Sequence, residues 1–310
     1  METNKRRLTV IVGPTACGKT ELAAHLAAAT NGEILSADSR QVYRGMDIGT
    51  GKDLADYVVD GKQIPYHLID IADPGEKYNV YRFQTDFAEA YDDVISRAKH
   101  PIMCGGSGLY AEAVLKNYSL LSVPPNPSLR QELESMSEEQ LADRLSSLQQ
   151  LHNVTDLDNK RRTIRAIEIA EYLKEHAEET GPTEGIEATV IGISVPRDVR
   201  RERITRRLRT RLREGLIEEI QSLLDKGIAV EDLIYYGLEY KYVTMHCIGE
   251  LTYEEMFTQL EIAIHQFAKR QMTWFRGMER RGTMIHWIDG MKPMEEKIAE
   301  IVKIIGGKGS

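Results

Sequence analysis

Eight residues, Gly13–Pro14–Thr15–Ala16–Cys17–Gly18–Lys19–Thr20, have the types and spacing to hold a phosphorylated ligand. They stand between an apolar run, Leu8–Val12, and an Ala- and Leu-rich stretch from Glu21 to Ala29. A strand, then G-x-x-x-x-G-K-[ST], then a helix is the context in which backbone N–H groups turn inward as an anion cradle, with the helix's positive end behind them. Lys19 adds a mobile charge for terminal phosphate oxygens, and the Thr20 hydroxyl suits Mg²⁺. The chain is therefore expected to bind a diphosphate or triphosphate. The loop alone leaves open a kinase, an NTPase or a transferase whose leaving group is diphosphate.

Three further patterns carry chemistry. Ser36–Ala37–Asp38–Ser39–Arg40–Gln41–Val42–Tyr43 follows a second apolar run, and in an open α/β sheet the carboxyl ends of strands face the ligand. Asp38 there either holds Mg²⁺ or accepts a proton from a nucleophile; a turn or helix-cap aspartate is the plain alternative. Gly105–Gly106–Ser107–Gly108–Leu109–Tyr110 follows another strand and offers a hydroxyl among glycines that admit close neighbours. Phe267–Arg276 interleaves cations, an amide and aromatics on a helix, suited equally to RNA or to packing with snorkelling cations.

The elements that must position these residues alternate in the first third, as in a parallel sheet flanked by helices. Leu8–Val12, Glu33–Ser36, His67–Ile71, Pro101–Cys104, Val190–Val195 and Met284–Ile288 read as strands, and Phe83–Ala98 as a helix. The proline-rich stretch Ser122–Pro127 breaks the chain. Helical patterns over Leu141–Leu148 and Lys160–Lys174 follow, without β signal, and a loop over Thr180–Gly185 closes the stretch. Residues 118–185 are thus expected to form a helical insertion in a core made of 1–117 and 186–310. Arg200–Lys226, Thr252–Arg276 and Met294–Ile304 read as helices.

With 310 residues the chain is long enough for a large core plus an insertion. No apolar run approaches the roughly 18 residues that span a bilayer, and the basic N-terminus lacks a signal-peptide pattern, which predicts a cytoplasmic protein. Cys17, Cys104 and Cys247 show neither disulfide nor zinc spacing, and Cys17 reads as a small loop-filling residue. Net charge is −8, yet Arg197–Arg213 holds nine arginines against Asp198 and Glu202. That stretch suits either phosphate contacts or a solvated, ion-paired face.

Taken together the blocks resemble the tRNA dimethylallyltransferases, P-loop prenyltransferases that modify adenosine 37 beside the anticodon. The resemblance rests on Gly13–Thr20, Ser36–Lys52, His67–Ile71, Gly105–Tyr110, Arg161–Ile169 and Lys269–Arg276, in the family's order. It implies a P-loop NTPase-like parallel sheet with a helical insertion, dimethylallyl diphosphate and the tRNA anticodon stem-loop as substrates, Mg²⁺ as cofactor, and a monomer. Asp38, Lys19 and Thr20 take catalytic roles by this resemblance, with Mg²⁺ on Thr20. The tRNA falls to Asp38, Ser39, Arg40, Gln41 and Ser107, to Arg161, Arg162, Thr163, Ile164 and Arg165 on the insertion, and to Lys269, Arg270, Gln271, Met272, Thr273 and Trp274. The chain departs from the family at Tyr235–Tyr242, where Lys241 is the candidate for a basic position. The rival readings are an enzyme that prenylates free AMP or ADP, a small-molecule P-loop kinase, and a non-catalytic RNA-binding scaffold.

Overall fold

The computed structural model describes residues 6–118, 123, 125–148, 159–175 and 181–307. The chain divides into two units, Met1–Asn117 with Pro182–Ser310, and Tyr118–Gly181. In the first, six parallel strands form one sheet: β1 (Arg7–Val12), β2 (Gly32–Ser36), β5 (Tyr66–His67), β6 (His100–Gly105), β7 (Glu187–Ser194) and β8 (Ile285–Asp289). Two-residue strands β3 (Val58–Val59) and β4 (Lys62–Gln63) pair separately as a small hairpin. The sheet order is β5-β2-β6-β1-β7-β8, so β1 is flanked by β6 and β7 and lies where the chain switches sides.

Both sheet faces are buried, as parallel sheets require, and each strand serves both through the two-residue period. Leu8, Val10 and Val12 of β1 join one apolar cluster, while Ile11 joins the other. The Ile11 face is covered by α1 (Lys19–Thr30) and α12 (Met294–Gly306). The opposite face takes α2 (Val80–Ser96), α3 (Gly108–Leu115), α7 (Arg197–Arg213), α8 (Leu216–Asp225), α9 (Val230–Tyr235), α10 (Leu238–Cys247) and α11 (Tyr253–Arg280). A Thr252–Glu255 capping box starts α11, satisfying amides that the helix itself leaves free.

Two expected elements differ. The strand over His67–Ile71 stops after His67, because Leu68 and Asp70 take left-handed backbone angles of 65° and 56°. Asp70 turns toward Lys52, whose buried ammonium also bonds Tyr43 O at 2.7 Å and Asp47 at 2.6 Å. The helix expected over Arg200–Lys226 is two helices, α7 and α8, parted at Gly215 with φ 107°, a value a side chain resists.

The second unit packs α4 (Pro127–Glu134), α5 (Glu138–Leu148) and α6 (Lys160–Glu175) around Leu129, Leu133, Leu141, Leu145, Ile164 and Ile167. Buried Glu168 receives Arg130 on both oxygens, at 2.9 Å each, and the Asn126 amide. Burial pushes its carboxyl up, but these hydrogen bonds outweigh that and hold it below the ordinary range. Pro182–Gly185, expected with the insertion, belong to the core unit instead. Thr183 explains this: it is buried, its hydroxyl donates to Val114 O at 3.0 Å, and its amide donates to Asn117 Oδ1 at 2.9 Å.

Candidate active site

The carboxyl ends of β1, β2 and β6 open onto one cavity of about 610 Å³. The end of β1 delivers Thr15, Ala16, Gly18, Lys19 and Thr20 to its wall. Lys19 Nζ donates to Pro14 O at 2.9 Å, and the Thr20 hydroxyl has no hydrogen-bond partner among the described residues. Cys17 is buried within the loop, as a small filler would be.

The end of β2 delivers Asp38, Ser39, Arg40 and Gln41. One Asp38 oxygen accepts the Arg40 amide at 2.9 Å, while the other takes no hydrogen bond from a described residue. Gln41 is committed at both ends: its oxygen accepts the Ser36 hydroxyl at 3.0 Å and its nitrogen donates to Gly51 O at 2.9 Å. Ser107, after β6, accepts the Ser39 amide through its hydroxyl at 3.3 Å, tying the two strand ends together.

Helix α11 closes the cavity and explains the glycine block. Gln271 lies on its buried stripe with Ile264, Ala268 and Phe275. The Gln271 oxygen accepts the Thr15 amide at 2.8 Å, and its nitrogen donates to Gly106 O at 2.9 Å. A Cβ on Gly106 would stand 2.5 Å from Gln271 Nε2, and one on Gly108 would stand 2.2 Å from Trp274 Cδ1. Those two glycines therefore let α11 dock on the loop. Gln271, expected to touch tRNA, lines the cavity and joins the phosphate loop to the loop after β6 through one bond at each end of its amide.

Sequence reasoning missed Arg207. It lines the cavity from α7, and its guanidinium donates to the Thr15 hydroxyl at 2.5 Å. It keeps a little exposure to the cavity, but protein surrounds it and among the described residues it has no carboxylate partner within ion-pair distance. Burial first, and then the neighbouring Arg211, push it down to about 10. Arg211, one turn on, is buried and pairs with Asp53 at 3.3 Å and Glu239 at 3.9 Å. The available signal was periodicity: Ile204, Leu208 and Arg211 share the buried side of α7, and Arg207 adjoins it.

Other expected site residues scatter. Arg270 and Trp274 line the cavity; Lys269, Met272 and Thr273 do not. Met272 is half-buried against the core, and the Thr273 hydroxyl donates back to Lys269 O at 3.1 Å. In the second unit Arg161 and Arg162 are exposed at the start of α6. Thr163 and Ile164 are buried, Ile164 within that unit's apolar cluster. Arg165 reaches Glu168 at 3.2 Å and Val123 O at 2.6 Å. Among the described residues no cluster of His, Cys, Asp and Glu is arranged to hold a metal ion alone, and no helix is long and apolar enough to cross a membrane.

Comparison with known proteins places this arrangement. The sequence model of the IPP transferase family matches residues 41–278, and that of the isopentenyl transferases matches residues 6–66. The chain is 60% identical to tRNA dimethylallyltransferase 1 of Parabacteroides distasonis, over 97% of this chain and 98% of that one. It is 58% identical to tRNA dimethylallyltransferase 2 of Phocaeicola vulgatus, over 98% and 99%. The crystal structure of the full-length tRNA isopentenylpyrophosphate transferase of Bacillus halodurans superposes with a TM-score of 0.71 at 36% identity, covering 98% of this chain and 97% of that one. The chain belongs to the IPP transferase family.

Proposed function

We propose that the chain, a tRNA-modifying prenyltransferase, moves the dimethylallyl group of dimethylallyl diphosphate to N6 of adenosine 37, giving N6-(dimethylallyl)adenosine and diphosphate. One observation carries the reading: the free carboxylate oxygen of Asp38 shares a cavity with Lys19, Arg207 and the phosphate loop. A base and an anion cradle facing one space suit a reaction that releases diphosphate while removing a proton.

The exocyclic amine is a weak nucleophile, because its lone pair is shared with the purine ring. As the C–N bond forms at the allylic carbon and the C–O bond to diphosphate breaks, the N6 proton passes to Asp38. The Arg40 amide holds that carboxylate in place through its other oxygen. Loop amides, Lys19 and Arg207 take the charge developing on the leaving diphosphate. The adenine must leave its stack to enter the cavity.

Mg²⁺ belongs to this reading. An unpartnered Thr20 hydroxyl at the cavity wall fits a hard cation that takes its other ligands from water and phosphate oxygens. Bound there, the ion would neutralise diphosphate charge. Ser39, Arg40, Ser107, Arg270 and Trp274 are the RNA contacts assigned around the cavity, and Arg161 and Arg162 those of the second unit. A cytoplasmic monomer completes the assignment.

The test offers labelled dimethylallyl diphosphate with Mg²⁺ to an anticodon stem-loop, AMP and ADP in parallel. Label on the stem-loop adenine alone is the expected result. Label on free nucleotide would move the assignment to a nucleotide prenyltransferase, and label on neither acceptor would overturn the prenyl-transfer reading in favour of a kinase or a non-catalytic scaffold.

A further inference from the structure

Tyr235 ends helix α9, and the four residues after it, Tyr236 to Glu239, line the cavity. Tyr235 itself is 48% exposed. Its ring is fixed on two sides. The Arg40 guanidinium lies over it, 4.8 Å from the centroid, and Tyr236 meets it edge-on at 5.9 Å. Tyr236 is itself anchored: it is buried, its hydroxyl accepts the Gly75 amide at 2.5 Å, and its ring lies 4.5 Å from that of Tyr43. Arg40 is a cavity residue two positions from Asp38, so the exposed ring is coupled directly to the catalytic strand end.

We infer that Tyr235 is a stacking platform for an unpaired nucleobase that flanks the target adenine, a step that rests on the RNA reading above. Extruding one base from a loop exposes the faces of its neighbours, and an aromatic ring beside the cavity offers them a replacement. A ring already held by Arg40 and Tyr236 loses little freedom when a base settles on it, so most of the stacking is kept as affinity. Arg40 adds positive charge at the same point, favourable to the phosphate between the two nucleotides. The chemistry recognised is a base face with an adjoining phosphate, with no demand on base identity.

The experiment uses the full chain and stem-loops carrying 2-aminopurine in turn at each position flanking the target. In the unsubstituted enzyme one position is expected to be quenched on binding. Tyr235→Phe should keep the quench, and Tyr235→Ala should lose it. Tyr235→Ala should also raise KM for the stem-loop about 10- to 100-fold with kcat within twofold. An abasic nucleotide at the quenched position should erase the difference between Tyr235→Ala and the unsubstituted enzyme. Unchanged KM and quench in Tyr235→Ala would overturn the inference while leaving the RNA reading intact. Failure of the unsubstituted enzyme to prenylate any stem-loop would overturn both.

Discussion

Arg207 is the strongest single lever on the site, because it is costly to the free protein and useful only with an anion present. Its guanidinium is held at about 10 against an ordinary 12.5. At roughly 1.4 kcal/mol per pH unit, the charged form at neutral pH carries a penalty of about 3 kcal/mol. The sign follows from linkage: a base whose folded-state value is depressed weakens the fold throughout the range below about 10, and the penalty is relieved only as pH rises from there toward 12.5. Arg207→Met keeps the stem's volume and removes the charge. Its lost hydrogen bond to the Thr15 hydroxyl costs about 1 kcal/mol, leaving a net gain of about 2 kcal/mol. For a chain of 310 residues that is about 3 °C in Tm. The same substitution should lower kcat/KM for prenyl transfer by about 10²- to 10³-fold, since a donor to the leaving group is gone. Diphosphate should raise Tm more in the unsubstituted protein than in the variant, because only there does it neutralise a stranded cation. Thermal melts with and without diphosphate, beside single-turnover transfer, check all three. A variant that melts lower than the parent, or that transfers at the parent's rate, would refute the reasoning.

Asp38→Asn retains the acceptor for the Arg40 amide but not the base, so kcat should fall about 10²- to 10⁴-fold. Stem-loop Kd by filter binding should stay within threefold, and a matching loss of binding would show a role beyond proton transfer. Gln271→Leu leaves the Thr15 amide and the Gly106 carbonyl unpaired, at about 1–3 kcal/mol each. Tm should drop and KM for dimethylallyl diphosphate should rise; an unchanged KM would mean that the loop holds its shape unaided. At the far end of the sheet, burial works against the Glu33 carboxylate, but hydrogen bonds from Arg97 and His67 outweigh it and keep its pKa below 4.5. Stability from this group is present above pH 4.5 and lost as pH falls through its lower folded-state value. Tm of Glu33→Gln should therefore trail the parent most at neutral pH and converge with it in acid, and a constant gap from pH 7 to 3 would rule this out.

The sheet was legible because its strands are short apolar runs whose ends carry the chemical blocks, and a parallel strand must end at the ligand crevice. Position put Asp38 and the glycine block with Ser107 at strand ends, and both line the cavity; the roles expected of them came from the family resemblance. What failed was anything decided by contacts across the fold. The Leu68 and Asp70 backbone follows Lys52, a partner 18 residues away in the chain. Gln271 stands among cations in the sequence, and only the apolar stripe Ile264–Ala268–Phe275 and its two loop partners show that it is a buried part of the cavity wall. Thr163 and Ile164 fell between arginines that are on the surface, and the three-to-four residue period turns them inward. Arg207 was hidden among nine arginines; composition marked the helix, and only packing showed which cation faces the phosphate loop.

The Tyr235–Tyr242 segment follows the same logic. Lys241 was the candidate for a basic position, yet its ammonium lies over the Tyr242 ring at 5.2 Å and it does not line the cavity. Glu239 lines it instead, facing Arg211 at 3.9 Å. The cation at this wall thus comes from α7, and the acid beside it comes from α10. Tyr240 is buried, packs where a Cβ on Gly49 would stand 2.6 Å from its ring, and donates to Glu219 at 2.6 Å. The Glu219 carboxylate in turn accepts the amides of Asp47, Ile48 and Gly49 at 2.7–3.0 Å. Three amides converging on one carboxylate fix that loop firmly, and the same loop's Gly51 carbonyl receives the Gln41 amide. Gln41 lies three residues past Asp38. This segment therefore buttresses the strand end that carries Asp38, through Glu219 and the loop.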